Sequence, residues 1–150
     1  MRAKYIFTLL FSLLILASAK AQDLNTKIVA DLKPASDVVT FSPDGQLMAT
    51  AGWGGVRIYK FNNANPILIT TLKDHRSRVF SVSFSADGKY LATISFGIVK
   101  VFSVSNGSFS LIKSLDDISD DVESVSFSPD GKYLATGGID GTIIYEIIEN

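Results

Sequence analysis

Phe84-Ser85-Ala86-Asp87-Gly88 is matched by Phe41-Ser42-Pro43-Asp44-Gly45 on one side and by Phe127-Ser128-Pro129-Asp130-Gly131 on the other, each displaced by 43 residues. The period reaches well beyond the pentad. Ala49, Ala92 and Ala135 keep it, as do Thr50, Thr93 and Thr136, and the aromatic that closes each unit (Tyr59, Phe102, Tyr145) keeps it without an insertion. The repeated units span about residues 36–60, 79–103 and 122–146. A period of 40 to 45 residues built from strand-like segments is the signature of propeller blades. A unit of this length cannot bury its own apolar face, so it must stack on its neighbours.

Within each unit the local signals are those of short antiparallel strands. In the third, Val122, Val125 and Phe127 alternate with polar residues, and Pro129-Asp130-Gly131 then turns the chain. Pro presets φ, Asp caps the turn and Gly accepts a positive φ. Lys132 to Gly137 is expected as a second strand, Ile139-Asp140-Gly141 as a tight turn, and the β-branched run Thr142 to Ile147 as a third strand. Fourth strands are expected between the repeats. Pro66 to Leu72 follows the turn Asn62-Asn63-Ala64-Asn65, and Phe109 to Leu115 follows Asn106-Gly107, a strong hairpin signal. Helical periodicity is absent beyond the leader. The expected fold is therefore all-β: three four-stranded antiparallel blades, with the last unit ending after its third strand.

These residues resemble the WD-repeat β-propeller family, over essentially all of Asn25 to Ile148. The second unit carries Leu72-x-x-His75 followed by Val79-x-x-Val82-x-Phe84-Ser85-x-Asp87-Gly88-x-x-Leu91-Ala92-Thr93. The third carries Leu134-Ala135-Thr136-Gly137-Gly138-x-Asp140-Gly141-Thr142. Where the family has its Trp-Asp pair this chain has Tyr59-Lys60, Phe102-Ser103 and Tyr145-Glu146, and the Gly-His pair survives only as Asp74-His75. The resemblance implies a His, Ser or Thr, Asp and Trp hydrogen-bond chain inside each blade, and no blade here holds all four. The second has His75 and Ser95 with Gly97 at the Asp position, while the third has Asp140 with Ile118 at the His position. Packing of Tyr59, Phe102 and Tyr145 is expected to carry the blade cores instead.

Residues 1–21 stand apart. Arg2 and Lys4 precede an apolar run from Tyr5 to Ala17 interrupted only by Thr8 and Ser12, and Ala19-Lys20-Ala21 supplies a small-x-small pattern before Gln22. This is the pattern of a cleavable signal peptide. As a helix the apolar run would reach roughly 20 Å, short of the ~30 Å hydrocarbon core. The expectation is a secreted or periplasmic domain of residues 22–150, with no membrane attachment after cleavage. Cysteine is absent, which removes disulfides and a lipid-modified cysteine.

Fourteen Lys and Arg face fifteen Asp and Glu. Three of the basic residues, Arg2, Lys4 and Lys20, lie in the leader, which leaves a formal charge of −4 on the remainder. Nucleic acid is not an expected partner for such a surface, because phosphate binding requires a basic stripe. His75 is the only histidine and reads as structural. One His without Cys or a Gly-x-Ser-x-Gly elbow assembles neither a His-dependent triad nor a thiol or multi-histidine metal site. The run Asp116-Asp117-x-x-Asp120-Asp121-x-Glu123 offers oxygen ligands, but it lacks the Gly-containing spacing of a dedicated calcium loop and reads as a solvated connection. No catalytic residue, metal or cofactor is expected.

Candidate binding residues come from the repeat register. Trp53, Phe96 and Ile139 share one position, in the turn between second and third strands, where polar residues are usual. In the family that turn and the start of the first strand lie on the partner-binding face. The resemblance thus implies a face lined by Trp53, Phe96, Ile139, Arg78, Phe80, Asp121 and Glu123. Asp116 and Asp121 also fall, one repeat on, at the positions of Lys73 and Arg78, so adjacent blades present acid and base at matching places.

Propellers usually have four to eight blades. Three repeats with an early outer strand (about Lys27 to Leu32) and a last unit of three strands imply either a partial propeller or half of a six-bladed ring closed by a homodimer. The function these features imply is an exported, non-enzymatic protein-interaction scaffold. The alternative is an accessory or remnant propeller module of an exported hydrolase or peptidase system.

Overall fold

A computed structural model describes residues 27, 28, 30–33, 36–62, 65–116 and 121–148. The described chain contains eleven strands and no helix. Residues 1–21, with the proposed leader, lie outside the described residues, as does Ile118. No helix among the described residues is long and apolar enough to cross a membrane.

The strands form three antiparallel sheets in chain order. The first blade is β1 (Val38–Phe41), β2 (Leu47–Gly52), β3 (Gly55–Asn62) and β4 (Asn65–Leu72). The second is β5 (Ser81–Phe84), β6 (Tyr90–Ser95), β7 (Ile98–Ser105) and β8 (Ser108–Leu115). The third is β9 (Val122–Phe127), β10 (Tyr133–Gly138) and β11 (Gly141–Glu146), with three strands among the described residues. These positions agree within a few residues with those expected from the turn signals. The early outer strand expected near Lys27 to Leu32 does not form: Lys27, Ile28 and Ala30 to Leu32 are outside any strand. An extended segment becomes a strand only by pairing with an open edge, and in a six-bladed ring closed by a homodimer that edge would belong to the second copy.

The repeated pentad is a hydrogen-bonded turn built three times over. In the second blade the Ser85 hydroxyl donates to Asp87 Oδ1 at 2.7 Å and accepts the Tyr90 N–H at 2.9 Å. Asp87 Oδ1 also accepts the Lys89 N–H at 3.0 Å. Ser42 with Asp44, and Ser128 with Asp130, reproduce these contacts. Each turn is completed by a glycine in the left-handed region, at φ +69° (Gly45), +72° (Gly88) and +73° (Gly131), where a Cβ would be strained. In all three, the Ser hydroxyl foremost holds the Asp carboxyl below its ordinary range, assisted by a backbone N–H.

Blades stack through their inner strands. β1 lies beside β5 and β5 beside β9, whereas β1 and β9 are not neighbours, so the three sheets form an open arc. Two apolar layers fill the two junctions. Between the first and second blades, Ala49, Ala51, Val56 and Ile58 meet Val82, Phe84, Leu91 and Phe102. Between the second and third, Ala92, Ile94, Val99 and Val101 meet Val125, Phe127, Leu134 and Tyr145. The second set is the first moved on by one repeat. Phe102 and Tyr59 are buried and Tyr145 half-buried, so these aromatics fill the place of the family's tryptophan.

Polar contacts bind the inner strands as well. Ser81 Oγ donates to the Val125 carbonyl at 3.4 Å and accepts its N–H at 3.3 Å, and Ser83 Oγ accepts the Phe127 N–H at 3.2 Å. Across the other junction the Val79 N–H donates to the Gly52 carbonyl at 3.2 Å.

Candidate partner-binding face

Three two-residue hairpins place Trp53, Phe96 and Ile139 on one end of the blades. They connect β2 to β3, β6 to β7, and β10 to β11, closing on the pairs Gly52↔Gly55, Ser95↔Ile98 and Gly138↔Gly141. Their backbones differ. Only Gly54 is at positive φ (+95°) between the closing pair of the first turn, and neither central residue is in the third. In the second, both are: Phe96 at +39° and Gly97 at +71°. That is the φ pattern of a type I′ turn, which favours Asn or Gly at its first central position. A phenylalanine there costs about 1 to 2 kcal/mol of backbone strain.

The strained ring is held by the residues that lead into β5. Phe96 packs edge-on against Phe80, with ring centroids 4.9 Å apart and an interplanar angle of 67°. The Arg78 guanidinium lies 5.6 Å from the Phe80 centroid, within range of a cation–π contact. Arg78 also pairs through Nε with Asp37 Oδ2 of the first blade at 3.0 Å. That partner, 41 residues earlier in sequence, was not foreseen. The sequence drew attention to Asp116 and Asp121 as acids matched to Lys73 and Arg78.

Of the seven candidate residues, the structure therefore brings Arg78, Phe80 and Phe96 into one cluster. Trp53 (69% exposed) and Ile139 (84% exposed) project from the flanking turns. Asp121 precedes β9 and Glu123 lies in it, and both are exposed. Glu123 is the repeat counterpart of Phe80 and Asp37, so acid, aromatic and acid succeed one another across the three blades. Arg57, on β3 opposite Thr50, has one guanidinium nitrogen buried without a hydrogen-bond partner among the described residues, close to Gly54 of the Trp53 turn. Sequence reasoning missed Arg57, because its position reads as ordinary strand alternation.

His75 is structural in the fold, but its partner is not Ser95. Its Nε2 lies 2.8 Å from Thr93 Oγ1, whose hydroxyl in turn donates to the Lys100 carbonyl at 3.4 Å. In the tautomer protonated at Nε2, the imidazole donates to Thr93. Ser95 lies two residues further along β6, some 7 Å away at the usual strand rise. Thr136 is the third blade's counterpart of Thr93; it is fully buried and its hydroxyl finds no partner among the described residues. Burial pushes the His75 imidazole down from 6.5 to about 4, with the charge of Lys100 adding to the effect and Asp74 opposing it. Such a group stays neutral at neutral pH and serves as a hydrogen-bonding prop. No cluster of three or more His, Cys, Asp or Glu that could hold a metal occurs among the described residues. Asp116, from the acidic run, accepts from Ser114 at 2.6 Å, while residues 117–120 lie outside the described residues.

The family model of the WD domain, G-beta repeat, matches residues 29–60, 66–107 and 109–145. The chain belongs to the WD-repeat family. Repeats of this family generally serve as non-catalytic scaffolds for protein–protein interaction. Among curated proteins none matches the chain.

Two outcomes follow from the His75 site. Thr93→Val leaves the half-buried imidazole without its partner and is expected to cost about 1 to 2 kcal/mol, whereas Thr136→Val removes an unpartnered hydroxyl and is expected to be neutral or stabilising by about 1 kcal/mol. Urea midpoints of the two variants check the contrast. For pH, the folded value for His75 lies below the unfolded one, so the unfolded chain binds the extra proton between them. Stability is therefore full above about pH 6.5 and falls as pH drops toward 4. A further loss follows below 3.8, as the Asp44, Asp87 and Asp130 carboxylates protonate through their lowered values. His75→Gln should abolish the first loss and leave the second, as read from chemical denaturation over pH 3 to 8.

Proposed function

We propose that this WD-repeat chain is an exported, non-enzymatic interaction scaffold whose protein partner seats on the end carrying Trp53, Phe96 and Ile139. The observation that carries this reading is Phe96. A bulky ring is kept in a left-handed turn position, at a cost in strain, and is braced by Phe80, whose own ring Arg78 approaches. Strain that the turn itself does not require points to a role for the side chain. Exposed aromatics within a rim of Arg78, Asp121 and Glu123 suit the composition of a hot spot, in which a few anchors dominate binding and the charged surround sets orientation.

Trp53→Ala and Phe96→Ala should each weaken partner capture by about 2 kcal/mol or more, roughly 30-fold in affinity. Both side chains are exposed, so the far-ultraviolet circular dichroism should not change. Affinity capture from the exported protein fraction, with wild-type and variant chains as bait, reads the difference. Identical capture by all three would place the binding face elsewhere.

Export is the second part of the proposal and rests on the pattern of Arg2 to Ala21. Mature protein is expected to begin at Gln22 and to be recovered outside the cytoplasm, as intact mass of the exported product would show. A membrane-bound species retaining Met1 would refute cleavage.

A further inference from the structure

Each junction in this arc joins two different blade faces, and one example of each face has no neighbouring blade among the described residues. The face that the first and second blades present forward consists of Ala49, Ala51, Val56 and Ile58, and one repeat later of Ala92, Ile94, Val99 and Val101. Its third example is Ala135, Gly137, Thr142 and Ile144, and Ile144 is 66% exposed. The face presented backward is Val82, Phe84, Leu91 and Phe102 in the second blade and Val125, Phe127, Leu134 and Tyr145 in the third. Its remaining example is Val39, Phe41, Met48 and Tyr59 in the first blade, of which Met48 and Tyr59 are already buried within the chain. There Val39 is 61% and Phe41 50% exposed, and the Phe41 ring is supported edge-on by Phe61 at 5.3 Å.

The hydrogen bonds of the occupied junction are prepared at the open one too. Ser83 Oγ donates to the carbonyl of Phe84 at 3.5 Å while accepting the Phe127 N–H of the next blade. Ser126, its counterpart, already donates to the Phe127 carbonyl at 3.3 Å and is exposed. Ser124 likewise repeats Ser81. In the same register, the N–H groups that would meet Ser124 and Ser126 are those of a residue pair equivalent to Val125 and Phe127. Counting back by the repeat, that pair is Val39 and Phe41.

We propose that the first blade of a second copy of this chain docks on the third blade, with its Val39 and Phe41 set against Ser124, Ser126 and Ile144. The occupant is identified as a second copy because the required face is on the chain itself, in the register that its two internal junctions already use. The contact is head-to-tail, so each copy offers both halves. It buries apolar side chains that otherwise stand in water, the dominant favourable term in association. It is independent of the partner-binding reading, since Trp53, Phe80 and Phe96 take no part.

The test is the mass of the full chain in solution by sedimentation equilibrium. Wild type is expected to sediment as two or more chains. Val39→Glu and Ile144→Glu, each at an exposed position and therefore compatible with an unchanged circular dichroism, are expected to sediment as single chains. An equimolar mixture of the two should regain a two-chain species, because one variant keeps an intact third-blade face and the other an intact first-blade face. The double variant Ser124→Ala with Ser126→Ala should weaken self-association about tenfold without adding charge, consistent with two lost hydrogen bonds. A single-chain wild type, an assembly indifferent to all these substitutions, or a mixture that stays monomeric would overturn the proposal.

Discussion

The middle blade is apolar on both faces, and its neighbouring blades take those faces out of water. The constraint is visible along β6, where Leu91 faces the first blade, Ala92 the third, and every residue from Leu91 to Ser95 is buried. A strand buried on both sides is expected to be nearly continuous in apolar and small residues. Its counterpart β10 faces a neighbour on one side only, and there Leu-Ala-Thr-Ile-Ser becomes Leu-Ala-Thr-Gly-Gly with partial exposure. β2, in a blade with one neighbour, stays buried from Met48 to Gly52, so the loosening is confined to the third blade. The middle blade carries the one His–Thr pair.

The repeated Ser-x-Asp-Gly turn answers a different demand. Stacking fixes the blades against one another but does not tell the first strand where to reverse. The Ser hydroxyl and Asp carboxylate do so by capturing the N–H groups of Lys89 and Tyr90, or their counterparts, just where the ladder has yet to begin. Each contact is local, spanning at most five residues, so it can form before any blade has a neighbour. Ser42 and Ser85 are buried, whereas Ser128 remains half-exposed. The same turn is therefore harder to lose in the first two blades than in the third.

What was legible in the sequence divides along this line between local and long-range contacts. The blades, their turns and the pairing of β4 and β8 could be placed because turn chemistry and the period of 43 are written in adjacent residues. The in-register trio Trp53, Phe96 and Ile139 could be named for the same reason. The partner of His75 could not. Thr93 and Ser95 are both buried hydroxyls on the same strand, and choosing between them requires knowing how the connection after β4 crosses β6. The partner of Arg78 was likewise hidden, since Asp37 stands at the repeat position of Phe80 and breaks the pattern of that position. The Ser81 and Ser83 links looked like the polar half of an alternating strand. Only the placement of β9 beside β5 shows that their hydroxyls face backbone rather than solvent.

Comparison of the three equivalent turns separates what the fold needs from what it merely tolerates. The first turn presents Trp53 and leaves the positive φ to Gly54, and the third presents Ile139 with no positive φ between its closing pair. An apolar side chain can therefore reach this end of a blade without strain. In the second blade the left-handed conformation falls on Phe96 itself, although Asn or Gly would satisfy the same turn at lower cost. Nor does the blade core demand the ring, because Phe96 remains exposed while Ile94 and Val99 beside it are fully buried. The edge contact with Phe80 offsets part of the strain, an aromatic pair being worth about 0.5 to 1.5 kcal/mol beyond its buried area. A glycine would have needed no offset, and an asparagine a smaller one. The conformation is thus paid for locally by a contact whose other members, Phe80 and Arg78, also face the exposed end, and this coupling makes the three residues one rigid feature rather than three separate surface side chains.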